Sequence, residues 1–127
     1  MIAVDTSALM AIVLGEARAE ACMTALEVET EVLISAATVA EALIVAARRN
    51  VAEEMNRLID GLGFDVVPVT AAAARRIAAA HDQWGRGAHA ADLNLGDCFS
   101  YEVAKEHACP LLFVGDDFAK TDLASAL

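Results

Sequence analysis

Five carboxylates of this chain stand where short apolar segments end or where helices should begin. Apolar runs over residues 2–4 and 111–114 are typical of buried strands, and acids follow both of them. Open α/β sheets place their ligands at the carboxyl ends of such strands. Carboxylates gathered there would repel one another unless a cation lay between them, and oxygen-rich sites suit Mg²⁺ or Mn²⁺, the metals of phosphoryl-transfer and nuclease chemistry. The five acids are Asp5, Glu41, Asp97, Asp116 and Asp117.

Each acid also has a purely structural interpretation. Asp5 can cap the helix that follows it. Glu41 fits a capping-box pattern with Thr38. Asp97 can favour the dipole of a helix capped by Asn94, and the acids near the C-terminus can do the same for the last helix. Because all these positions fall at amino ends of helices, where N–H groups also receive anions such as phosphate, the set favours a shared ligand site.

The elements that must position these acids alternate along the chain. Strands are predicted over about residues 1–4, 32–35 and 64–69 and again from residue 110, where Pro68 favours an edge position for the third. Alternation of strands and helices predicts one domain over residues 1–127, with a mainly parallel sheet of four to five strands flanked by helices on both faces. The predicted helices cover about residues 7–14, 16–26, 38–50, 52–62, 70–84 and 96–108, followed by a short final helix.

The composition limits the class of protein. The chain has 127 residues, enough for one core, and 57% of them are hydrophobic. No basic segment precedes the first strand, and no apolar stretch reaches the roughly 18–20 residues that span a bilayer, so we expect a soluble cytoplasmic protein without a membrane partner. The three cysteines lack metal-ligand spacing and are expected to be reduced thiols in or near the core.

The net charge of −10 argues against a long nucleic-acid track and favours a basic protein partner. A polynucleotide substrate would therefore need a small contact area and a metal ion that offsets the acids. Arg86 stands alone between Gly85 and Gly87. It can contact a phosphate, or it can be a solvated loop charge, and the residues favour neither interpretation.

Several segments together resemble the PIN-domain ribonucleases, and more closely the VapC-type toxins of bacterial toxin–antitoxin pairs. The resemblance covers the whole chain and is far more specific than any single segment. The matching segments are residues 2–8 (IAVDTSA), 35–41 (SAATVAE), 84–87 (WGRG), 93–101 (LNLGDCFSY) and 110–118 (PLLFVGDDF).

The resemblance implies a metal-dependent endoribonuclease that hydrolyses RNA phosphodiester bonds at a four-carboxylate Mg²⁺ or Mn²⁺ site. Asp5, Glu41 and Asp97 take three of the acidic positions, and Asp116 and Asp117 both remain candidates for the fourth. Asp5 and Asp97 would hold the metal directly or through water, which lowers the pKa of water to supply a nucleophile. The hydroxyl groups of Thr6 or Ser7 would support a ligand carboxylate or simply cap a helix.

The resemblance also implies partners. A VapB-like antitoxin would hold the toxin through a C-terminal segment that can bring an arginine near the acids. An RNA would be the substrate, and the chain would form a homodimer or a toxin–antitoxin hetero-oligomer.

Two other classes of protein compete with this interpretation. An aspartate-phosphorylating phosphatase would carry Asp-x-Asp after the first strand, but Ser7 occupies the third position. A receiver domain would pair Lys120 with two early acids that the chain lacks. The other class is a catalytically inactive acidic binding module whose carboxylates only cap helices or bind a basic peptide.

Overall fold

A single parallel sheet forms the centre of the computed structural model, which describes all 127 residues. The strand order is β3-β2-β1-β4, and every neighbouring pair is parallel. Both the parallel sheet and the edge position of the third strand are confirmed. The strands are β1 (Ile2–Val4), β2 (Val32–Ser35), β3 (Asp65–Val67) and β4 (Leu111–Leu112).

Six α-helices connect the strands and cover both faces of the sheet. Alternate residues of β1 face opposite cores: Ile2 and Val4 pack with helices on one face, and Ala3 packs with helices on the other. The first core includes residues of α1 to α4, and the second includes residues of α5 and α6. The helices are α1 (Thr6–Val13), α2 (Ala19–Val28), α3 (Ala36–Arg48), α4 (Ala52–Leu62), α5 (Ala71–Trp84) and α6 (Leu95–Glu106).

Most predicted boundaries agree with the structure, and the exceptions have local causes. The third helix begins at Ala36 rather than near Thr38, because the Ser35 hydroxyl accepts a hydrogen bond from the Ala37 N–H and caps it. The second helix begins later than predicted, after a turn in which Gly15 adopts a φ of 64°. The final helix is a single 3₁₀ turn, Phe118–Lys120.

The three cysteines lie in or near the core, as predicted. Cys22 and Cys98 are buried, Cys109 is half-buried, and all three are free thiols. No helix has the length and apolar character needed to cross a membrane.

Candidate active site

The carboxyl edge of the sheet brings together elements that are far apart in the sequence. Asp5 lies directly after β1, and its backbone N–H donates to the carbonyl of Leu112 at the end of β4. Ser35 ends β2 and starts α3, the helix that carries Glu41. The parallel arrangement directs all these strand ends to one side, where the amino end of α6 supplies Asp97.

Asp5 is buried, with 4% of the residue exposed, and both of its carboxylate oxygens accept hydrogen bonds. Its Oδ2 accepts hydrogen bonds from the backbone N–H of Ser7 at 3.0 Å and from the Ser7 hydroxyl at 2.7 Å. Its Oδ1 accepts from the Ser100 hydroxyl at 2.6 Å. Asp5 therefore caps α1, as one interpretation of the sequence predicts. The hydrogen bond from Ser100 is not part of this cap, because Ser100 belongs to α6.

Ser7 links Asp5 to the loop that follows β4. While its hydroxyl donates to Asp5, its Oγ accepts from the backbone N–H of Val114 at 3.0 Å. This hydrogen bond fixes the first residues of the loop that carries Asp116 and Asp117 relative to Asp5.

Glu41 is positioned by contacts with α1 and α6, not by a capping box. The Thr6 hydroxyl donates to its Oε1 at 2.5 Å. Its Oε2 lies against Gly96, so closely that a Cβ at position 96 would overlap the carboxylate oxygen. The capping-box interpretation of Glu41 with Thr38 is wrong, because Ser35 caps α3 one turn earlier.

Asp97 belongs to a capping box with Asn94. The Asn94 side chain accepts from the Asp97 N–H at 2.8 Å, and the Asp97 Oδ2 accepts from the Asn94 N–H at 3.0 Å. Burial raises the pKa of Asp97 from its ordinary value of 3.8 to about 6, although the hydrogen bond from the Asn94 N–H opposes this effect. Negative charge on Asp5, Asp117 and Glu41 raises this pKa further.

These electrostatic effects separate the two C-terminal candidates. Asp117 is among the charges that raise the pKa of Asp97, and Asp116 is not. Asp116 instead lines a groove with Arg18 and Phe113. The turn at Gly115, whose φ is 108°, separates both acids from β4. The carboxylates within electrostatic reach of Asp97 are therefore Asp5, Glu41 and Asp117.

The acids gather without forming a closed metal cage. No three histidine, cysteine, aspartate or glutamate side chains lie close enough together to hold a metal ion directly. Three donors already occupy Asp5, and the capping box engages one oxygen of Asp97. Such an acidic, oxygen-only site fits a hard cation that retains several waters and uses one or two carboxylates, as Mg²⁺ does in proteins.

Two residues at the site, Ser100 and Gly96, were not singled out from the sequence, and Thr38 was considered only as a helix cap. The Ser100 hydroxyl donates to Asp5, and its oxygen lies 3.3 Å from the Thr38 hydroxyl oxygen. Gly96 has no side chain, so the Glu41 carboxylate can lie against it. The spacing of Asp97 and Ser100, one helical turn, is a signal that they share a helix face. Nothing in the spacing alone identifies Asp5 as the acceptor.

Arg86 lies on the surface between α5 and α6. Its Nε is 3.5 Å from Oδ1 of Asp92, and both side chains are largely exposed. Asp92 thus lies at the surface as the ion-pair partner of Arg86. An exposed pair of this kind contributes little to stability and leaves the guanidinium accessible.

The chain is similar, over nearly its whole length, to known proteins of one family. The family profile described as PIN domain matches residues 2–123. Ribonuclease VapC42 of Mycobacterium tuberculosis is 42% identical, and the alignment covers 97% of this chain and 97% of that protein. Ribonuclease VapC30 of the same species is 41% identical, with 96% of this chain and 95% of that protein covered.

Solved structures share the same fold at lower identity. The crystal structure of Mycobacterium tuberculosis VapC20, a sarcin-ricin loop cleaving toxin, has a TM-score of 0.76 at 20% identity over 98% of this chain and 97% of that one. A toxin–antitoxin complex from Klebsiella pneumoniae has a TM-score of 0.73 at 19% identity over 96% and 93% of the two chains. The family match and the long alignments at more than 40% identity show that this chain belongs to the PIN-domain family, among the VapC ribonucleases.

Proposed function

We propose that this protein is a metal-dependent endoribonuclease and the toxin of a VapBC-type pair. The observation that carries the proposal is the convergence of three acids on the first turns of α6: Asp97 belongs to this helix, Glu41 lies against its Gly96, and Asp5 accepts a hydrogen bond from its Ser100. Asp117 adds a fourth negative charge that acts on Asp97. The relatives named above are ribonucleases, and this chain spans nearly their whole length. Helix capping alone does not require acids to lie near one another, and like charges that lie close together repel.

The proposed cofactor is Mg²⁺ or Mn²⁺. Asp5 and Asp97 would hold the cation directly or through water, with Glu41 and Asp117 completing the acidic surroundings. The bound cation supplies positive charge for the phosphate in the transition state and lowers the pKa of water. A cation binds the ionised form of Asp97. The bound cation would also relieve the repulsion between Asp97 and the neighbouring acids, and this relief would favour cation binding.

The side chains around the cation have distinct proposed roles. Thr6 and Ser7 hold the carboxylates of Glu41 and Asp5 through their hydroxyl groups. Glu41 and Asp117 would orient the attacking water and accept its proton. Arg86, on its exposed turn, would contact a backbone phosphate of the RNA after releasing Asp92.

A basic antitoxin segment is the proposed protein partner. The chain carries a net charge of −10, so a VapB-like segment with arginine or lysine would be attracted to the acidic edge and would compete with the cation there. The toxin–antitoxin complex with a similar fold is consistent with such a partner. We also propose a homodimer or a toxin–antitoxin hetero-oligomer acting in the cytoplasm, where RNA is available.

Membership of the PIN family favours this function over an aspartate-phosphorylating phosphatase or receiver domain. An acidic binding module without activity remains distinguishable by experiment. Expression of the chain alone in a bacterial host should arrest growth and produce new RNA 5′ ends at defined positions, whereas Asp97→Asn at equal protein levels should do neither. Growth arrest without new RNA ends would contradict the nuclease function, and the mapped ends would identify the RNA.

A further inference from the structure

A chain of buried hydroxyl groups ends on Asp5. The Ser100 hydroxyl donates to Asp5 Oδ1 at 2.6 Å, and the Ser100 and Thr38 hydroxyl oxygens are 3.3 Å apart. Ser100 and Thr38 are each 1% exposed, and Asp5 is 4% exposed. Because the single proton of Ser100 is committed to the shorter bond, Thr38 is the donor in the longer contact.

This arrangement determines which part of Asp5 is free. A carboxylate offers about four lone-pair positions, two on each oxygen. On Oδ2, both are taken by the N–H and the hydroxyl of Ser7. On Oδ1, Ser100 takes one, so a single lone pair remains available for any other ligand.

The same hydrogen bond connects the two proposed metal-binding acids. Asp97 and Ser100 lie one turn apart on α6, whereas Asp5 lies at the junction of β1 and α1. The bond from Ser100 therefore fixes Asp5 relative to the helix that carries Asp97. Without it, Asp5 would be held only through its Oδ2, by the N–H and the hydroxyl of Ser7 on its own helix α1.

We infer that Ser100 is a positioning residue of the metal site: its hydroxyl holds Asp5 in the orientation in which a single lone pair of Oδ1 stays available to the cation, directly or through water. This inference rests on the proposed function, because it assigns Ser100 a role at the proposed Mg²⁺ or Mn²⁺ site. Thr38 supports the role by donating to Ser100. A purely structural serine would affect stability without affecting cation affinity.

Titration of Mn²⁺ into the purified full chain, by calorimetry and by the Mn²⁺ electron paramagnetic resonance signal, tests the inference. Ser100→Ala should weaken Mn²⁺ binding at least about tenfold, as is typical when a residue that orients a ligand is lost. The matched control is Tyr101→Phe, which removes a hydroxyl of the same helix that donates to the carboxylate of Asp122 at 2.7 Å. This control should bind Mn²⁺ as the wild type does.

Ser100→Cys provides a second variant in case Ser100→Ala does not fold, because its slightly larger side chain leaves no cavity and replaces the hydroxyl with a weak donor. It too should bind Mn²⁺ more weakly. Wild-type affinity in a folded Ser100 variant, while Asp97→Asn loses binding, would overturn the role of Ser100 and leave the metal site intact. A wild-type protein that does not bind Mn²⁺ would instead overturn the metal site itself, and the inference with it.

Discussion

Glu41 places its Oε2 against Gly96, a contact that leaves no space for a side chain at position 96. The other carboxylate oxygen of Glu41 accepts the hydroxyl proton of Thr6. Glu41 is thus held between α1 and α6, although it belongs to α3. A glycine in the first turn of a helix usually lowers helix stability, so its presence here is explained by the carboxylate and not by the helix.

Gly96→Ala should therefore damage the site while leaving the helix intact. The new Cβ would displace Glu41 and disrupt its bond from Thr6, so RNA cleavage should fall at least about tenfold, since small displacements of catalytic groups carry large costs. Measurement of cleavage rates and of the far-UV circular dichroism spectrum would test this.

Gly61→Ala is the matched control for this prediction. Gly61 is also helical, with no atom near the position of an added Cβ. The control should keep full activity and gain about 0.5–1 kcal/mol in free energy of unfolding. An active Gly96→Ala protein would show that the position of Glu41 is not important for cleavage.

The pKa of Asp97 predicts a distinctive pH dependence of stability without added metal. Its folded-state pKa of about 6 lies above the ordinary value of 3.8, so the folded protein retains a proton that the unfolded chain releases. The stability supplied by this group is fully present below about pH 4 and is lost as the pH rises through about 6. Asp97→Asn cannot titrate, and its amide oxygen can still accept from the Asn94 N–H.

Urea unfolding of both proteins in a chelator, at several values between pH 4.5 and pH 7.5, measures this effect. The stability of Asp97→Asn relative to the wild type should rise across that interval, and the contributions of the other groups largely cancel in the difference. A difference that does not change with pH would mean that Asp97 has an ordinary pKa.

Local features of the sequence predicted much of this fold. The edge position of the third strand and the helix caps at Asp5 and Asn94 follow from short-range patterns. The predicted start of α3 was wrong because Ser35 and Thr38 can both cap a helix. In the structure, Ser35 caps it. The contacts made by Ser100 and Gly96 could not be predicted, because they depend on how α6 packs against β1 and α3.

The choice between Asp116 and Asp117 can be tested with a matched pair of variants. Asp117→Asn should reduce cleavage strongly, because Asp117 lies within electrostatic reach of Asp97. Asp116→Asn should have little effect, because Asp116 lines a different groove. Cleavage rates at saturating metal would decide between them, and the reverse order of effects would assign the fourth acid to Asp116.

Arg86 should contribute to RNA binding through charge alone. Arg86→Ala should raise the apparent KM. It should also reduce the slope of log affinity against log salt concentration by the amount expected for the loss of one phosphate contact. Arg57→Ala is a suitable control, since Arg57 is equally exposed and also forms a surface pair, with Glu54. An unchanged salt slope in Arg86→Ala would identify Arg86 as a solvated loop charge.

The acidic edge of the sheet is proposed to cleave RNA with a divalent cation. The most direct measurement is cleavage of a defined RNA by purified wild-type protein and by Asp97→Asn, each with Mg²⁺ or Mn²⁺ and with a chelator. We expect cleavage only by the wild type and only with the cation, with activity restored when the cation is returned. Cleavage that persists in the chelator, or in Asp97→Asn at the wild-type rate, would contradict the claim.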